Sequence, residues 1–135
     1  MLDHIDHIGL AVDDMEAAIA LYCDTLGLTL THDEVVHSQG TRAVFLEAPS
    51  GPDLELLGSL GADTPVGKFL AKRGPGMHHI CYAVDNLEAA IVHCLARGLR
   101  MIDEAPRIEA RGTRLAFIHP KAAGGVLIEL YEAKK

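Results

Sequence analysis

The segment from His7 to Ile19 recurs 72 positions later as His79 to Ile91, with nine of its thirteen positions identical. No other feature constrains the fold as tightly, because a duplicated unit must be able to bury its apolar face in two copies. Each half of a 135-residue chain is too small to bury much surface alone. The two copies are therefore expected to fold together as one domain over residues 1–135. Module one covers about 4–60, a linker about 61–76, and module two about 77–133.

Within module one, the alternation from Ile5 to Val12 predicts a strand with His7, Gly9 and Ala11 on one face and Ile8, Leu10 and Val12 on the other. Asp13 with Glu16 reads as a capping box, followed by a helical stripe of Met15, Ala18, Ile19, Tyr22 and Leu26 that Gly27 ends. Strands are then expected over 28–31, 41–48 and 53–57, the last two joined by Pro49-Ser50-Gly51-Pro52. Module two repeats the scheme. Asp85 and Glu88 cap a helix with the stripe Leu87, Ala90, Ile91 and Cys94, Gly98 ends it, and strands are expected over 99–103, 113–119 and 126–132. Between the modules, Thr64-Pro65 opens a short helix through Leu70. The fold class is α+β: two tandem β-α-β-β-β modules forming a curved, metal-holding mixed sheet.

The repeat carries chemistry as well as architecture. Each copy begins with a histidine in an apolar strand, and each supplies a glutamate 48 or 50 residues on, Glu55 within Leu54-Glu55-Leu56-Leu57 and Glu129 within Ile128-Glu129-Leu130-Tyr131. Strand parity sends Leu54 and Leu56 to the helix and Glu55 to the opposite face, and it aligns His7 and His79 in the same sense. Carboxylates on a shared face are costly to desolvate unless a cation compensates them. Two imidazoles and two carboxylates, His7, Glu55, His79 and Glu129, outline a site for a borderline divalent metal such as Co²⁺, Ni²⁺, Zn²⁺, Mn²⁺ or Fe²⁺.

Composition excludes several classes. A formal charge of -7 opposes nonspecific nucleic-acid binding, and no run approaches the length of a membrane span. Cys23, Cys81 and Cys94 form no CxxC and read as reduced thiols, and the amino terminus lacks a signal-peptide pattern, so a cytoplasmic protein is expected. Arg97, Arg100, Arg107, Arg111, Arg114 and Lys121 form a basic stretch able to meet an anionic ligand.

Longer strings extend the pattern: Asp6 to Val12, Phe69 to Gly74, His78-His79-Ile80, Asp103 to Arg107, and Phe117-Ile118-His119-Pro120-Lys121 through Gly124-Gly125-Val126-Leu127-Ile128-Glu129-Leu130. With the paired modules, these resemble the vicinal oxygen chelate, or glyoxalase-like, superfamily and its methylmalonyl-CoA epimerase family. The resemblance implies a divalent metal, most often cobalt, held by His7, Glu55, His79 and Glu129, and a homodimer. It also implies interconversion of (2R)- and (2S)-methylmalonyl-CoA through C2 proton abstraction, a metal-stabilised enolate and reprotonation. Glu55 and Glu129 are assigned as the catalytic pair. In some of these epimerases the second carboxylate ligand is Gln and a separate Glu base occupies the position held here by Ala43, so Glu55 is expected to take over that role, with Glu47 in reserve. His78, of opposite parity to His79, is assigned to support or packing, Gly112 to a turn or the pocket, and the basic stretch to the phosphates of the acyl-CoA substrate. Ala122-Ala123 replaces more polar residues common in that loop. The alternatives are a glyoxalase I-like isomerase or an extradiol dioxygenase on the same scaffold, or a metal-free small-molecule-binding protein.

Overall fold

Strand β1, Leu2–Val12, begins before the predicted start, and every second residue from His7 onward is buried. In the computed structural model, which describes residues 1–109 and 112–133, the chain divides into two units. One is His7–His78; the other is Met1–Asp6 with the chain from His79 onward.

In the first unit, helix α1 (Met15–Ile19) follows β1 and continues as π-helical turns over Ala20–Thr25. Strands β2 (Thr29–Val36), β3 (Thr41–Glu47) and β4 (Asp53–Ser59) come next, then helix α2 (Pro65–Arg73), capped by the Thr64 hydroxyl accepting from Gly67 N–H. The strand order is β2-β3-β4-β1, with β4 parallel to β1 and the other pairs antiparallel. Val44, Leu46 and Leu56 form the buried centre beneath Leu10, Val12, Met15, Ala18, Ile19, Tyr22 and Leu54. The predicted Leu54/Leu56 helix-facing parity therefore holds.

The second unit contains β5 (Gly76–Val84, from His79 on), helix α3 (Leu87–Ala96), β6 (Arg107–Ile108), β7 (Arg114–Ile118) and β8 (Ile128–Glu132). Its order is β5-β8-β7-β6, with β8 parallel to β5. The predicted stripe of Leu87, Ala90, Ile91 and Cys94 packs on Ala116, Ile118 and Leu130.

Three local expectations are corrected. The helix caps fall one residue later than predicted: the Asp14 side chain accepts from Ala17 N–H at 3.0 Å and Asn86 from Ala89 N–H at 2.9 Å. Glu16 and Glu88 thus stand two positions past their caps, where they cannot close a capping box. The π turns rephase the first helix, so Leu26 is exposed while Cys23 and Leu28 join the core. The strand expected over 99–103 is reduced to a single bridge between Met101 and Ile118. There the Asp103 carboxylate accepts the Phe117 N–H at 2.8 Å, taking the place of a strand carbonyl, and Pro106 offers no donor to extend the pairing.

Candidate metal and active site

Identical registers deliver the predicted donors in the two units. In the first, Glu55 of β4 lies opposite Gly9 of β1 and Phe45 of β3. In the second, Glu129 of β8 lies opposite Cys81 of β5 and Phe117 of β7. Each histidine precedes its Gly9 or Cys81 position by two residues and so shares that face.

His7 and Glu55 are 3% and 8% exposed, with His7 Nε2 3.4 Å from Glu55 Oε1. His79 and Glu129 are each 4% exposed, with the same atoms 3.0 Å apart. An aromatic edge fixes each imidazole: Phe45 meets His7 at 5.7 Å and 86°, and Phe117 meets His79 at 6.0 Å and 88°. Within each unit, a carboxylate removed from water faces an imidazole nitrogen, a pairing that a borderline divalent cation fits.

The repeat extends further than its opening segment suggests. Gly40-Thr41-Arg42 and Phe45 return 72 residues later as Gly112-Thr113-Arg114 and Phe117. Thr41 and Thr113 are both 8% exposed, and Gly40 and Gly112 both adopt left-handed turns at φ 63° and 66°. Arg42 donates to Glu16 of α1 at 2.9 Å and to Asp33 of β2 at 2.7 Å. Arg114 likewise donates to Glu88 of α3 and, at 2.6 Å, to Glu132 of β8. Each arginine fastens the helix of its unit to the sheet. Hydrogen bonding to these guanidinium groups holds the carboxyls of Asp33 and Glu88 below their ordinary range. The same spacing in the sequence would have exposed both the clamps and the aromatic walls.

The remaining candidates separate by position. His78 packs edge-on against Phe69 of α2 at 4.9 Å, as its packing assignment requires. Glu47 is exposed at the end of β3, opposite Thr29. Ala43 is buried between Glu34 and Leu57 in the strand ladder. The basic stretch is broken up. Arg114 is committed to its two carboxylates, while Arg107 stacks over Phe117 at 4.8 Å with Asp103 and Glu109 beside it. Arg97, Arg100 and Lys121 remain exposed, and Arg111 lies outside the described residues. Desolvation, followed by the nearby charges of Arg100 and Lys121, lowers the pKa of His119 below its ordinary value.

The class of protein follows from the fold: a model of the glyoxalase/bleomycin resistance protein/dioxygenase superfamily matches residues 6–117. Human mitochondrial methylmalonyl-CoA epimerase is 38% identical over 133 residues, which cover 98% of this chain and 75% of that protein. The crystal structure of methylmalonyl-CoA epimerase from Mycobacterium tuberculosis is 39% identical, with a TM-score of 0.93 over 99% of this chain and 90% of its own. A methylmalonyl-CoA epimerase solved with methylmalonyl-CoA and NH4+ is 36% identical, with a TM-score of 0.93 over 98% of this chain and 96% of its own. The chain belongs to the methylmalonyl-CoA epimerase family of that superfamily.

Proposed function

We propose that this chain interconverts (2R)- and (2S)-methylmalonyl-CoA by moving the C2 proton. His7, Glu55, His79 and Glu129 hold one divalent metal, with Co²⁺ first and Mn²⁺, Ni²⁺ or Zn²⁺ as alternatives, and the two modules act as a single catalytic domain. The observation that carries the reading is the buried His–Glu pair repeated in the same register in both units. When bound, such a metal supplies Lewis-acid stabilisation of the negative charge that develops on the thioester oxygen.

The chain's own residues supply the rest. Glu55 and Glu129 accept and return the C2 proton from opposite faces, and general acid–base catalysis of this kind contributes about 10²- to 10⁴-fold at each step. Phe45 and Phe117 keep water away from the imidazoles and fix their rings. Ala43 offers no carboxylate, which leaves the module-one proton to Glu55. The exposed cations Arg100 and Lys121 are the place proposed for the phosphates of the coenzyme A portion. A homodimer acting in the cytoplasm completes the reading.

The test is to strip the protein of metal, reload it with each candidate ion, and follow conversion of one pure epimer into the other. Activity that returns with metal, and is lost together with bound metal in His7→Ala and His79→Ala, is expected. Full activity in stripped protein would overturn the metal assignment. Metal binding without epimerisation would move the substrate search to the adducts of a glyoxalase I-like isomerase.

A further inference from the structure

Arg107 belongs to the basic stretch, yet the proposed phosphate site leaves it without a task. It stands on β6 opposite Leu115, and Leu115 is two residues before Phe117 on β7. Side chains two apart on a strand share a face, and Phe117 is opposite Glu129, which is opposite Cys81. Arg107 is therefore on the same face of the second unit's sheet as Phe117, Glu129 and His79. Arg114 has the opposite parity and holds α3 through Glu88.

The contacts of Arg107 converge on one ring. Its guanidinium carbon lies 4.8 Å from the centre of the Phe117 ring, within cation–π range. Phe117 in turn meets the His79 imidazole at 6.0 Å and 88°. The Asp103 carboxylate is 3.3 Å from Arg107 Nε and accepts the Phe117 N–H at 2.8 Å. The anion that steers the guanidinium is thus tied to the residue whose ring the guanidinium covers. Glu109 adds a second carboxylate 3.4 Å from Nη1. Arg107 Nε is shielded from solvent and makes no hydrogen bond among the described residues, although the side chain as a whole is 39% exposed. A donor left in that state costs free energy, and a side chain placed only for solvation would turn it to water. The ring face and the charge of the two carboxylates hold it instead. In the first unit the corresponding wall, Phe45, meets the ring of His32 at 6.1 Å, whereas a guanidinium carries its charge at any working pH.

We propose that Arg107 is a positioning residue for the module-two metal ligand: steered by Asp103, it holds Phe117 against His79 and so fixes the imidazole in the orientation that the cation needs. The assignment rests on the metal reading above. It gives Arg107 no contact with the substrate.

The experiment uses the full chain carrying ¹³C-labelled phenylalanine and histidine, first free of metal and then loaded with Co²⁺. The chain has three phenylalanines, so the Phe117 ring is readily resolved by NMR. In the metal-free protein, Arg107→Met is expected to shift or broaden the Phe117 and His79 ring signals while those of Phe45 and His7 hold. Asp103→Asn, which keeps an oxygen for the Phe117 N–H but loses the charge, should do the same, and the double variant should add little to either. Arg107→Lys keeps a cation and should return most of the parent signals. After loading, Co²⁺ should leave Arg107→Met about threefold to tenfold faster than the parent in chelator competition, the factor that loss of one cation–π contact supplies. Unchanged Phe117 and His79 signals in Arg107→Met would overturn the proposal. So would changes of equal size at Phe45 and His7, or a Co²⁺ dissociation rate equal to the parent's. A parent that takes up no divalent ion would overturn the metal reading itself, an outcome separate from that of the metal-free ring signals.

Discussion

A buried glutamate facing an imidazole is costly to hold without a cation, and the proposed site repeats this arrangement in each unit. Glu129→Ala should therefore lose both a metal ligand and a proton carrier. Its turnover is expected to fall by 10²-fold or more on the scale of general acid–base catalysis, measured at saturating substrate and metal. Activity equal to the parent would remove Glu129 from catalysis. The cysteines make a separate prediction. Cys81 and Cys94 are buried, and burial pushes the Cys94 thiol up, whereas Cys23 is partly exposed. A thiol reagent on native protein should label Cys23 first and reach the other two only on unfolding, as peptide mass mapping would show. His7, Glu55, His79 and Glu129 were legible in the sequence because strand alternation fixes which way each points. Phe45 and Phe117 escaped that reading because an aromatic in an apolar strand looks like core until its register partner is known.

Elements are held by devices that local sequence states only in part. Asp14→Ala and Asn86→Ala should each cost about 1 kcal/mol, the usual value of a lost N-cap, in denaturant unfolding. The arginine clamps add pH dependence. Asp33 and Glu88 have carboxyl pKa values lowered in the folded state, so their contribution is present above the ordinary values of 3.8 and 4.5 and is lost as pH falls through the lowered ones. Arg42→Met should flatten the acid limb of the stability curve and cost about 0.5 to 1 kcal/mol at neutral pH, the range for a partly exposed ion pair. An unchanged acid limb would show that the clamp does not report on folding. The capping shift and the lost strand over 99–103 were illegible for a shared reason. Asp13 and Asp14 offer the same oxygen one residue apart, and the Asp103 side chain competes with backbone carbonyls for Phe117 N–H. Local pattern does not rank such rivals. The π turns escaped as well, since a stripe of Met15, Ala18, Ile19, Tyr22 and Leu26 assumes an uninterrupted period.

For the whole molecule, the tandem repeat made the two-module plan readable, and the same registers in both units bear out that part of the reading. The basic stretch shows the limit. Proximity in sequence grouped six cations, but the structure commits Arg107 and Arg114 to carboxylates and leaves fewer for an anionic ligand. If the folded chain holds the proposed ion, metal at about 100 times its dissociation constant should stabilise it by about 2.7 kcal/mol, read as a rise in Tm on reloading. The central claim is metal-dependent proton transfer at C2, and proton NMR of a single methylmalonyl-CoA epimer in D₂O tests it most directly. With stripped protein, loss of the C2 proton should proceed only at the background rate. After Co²⁺ is added, that signal should disappear as the opposite epimer accumulates with deuterium at C2. Equal rates in stripped and reloaded protein, or no exchange above background in protein shown to hold the metal, would contradict the account.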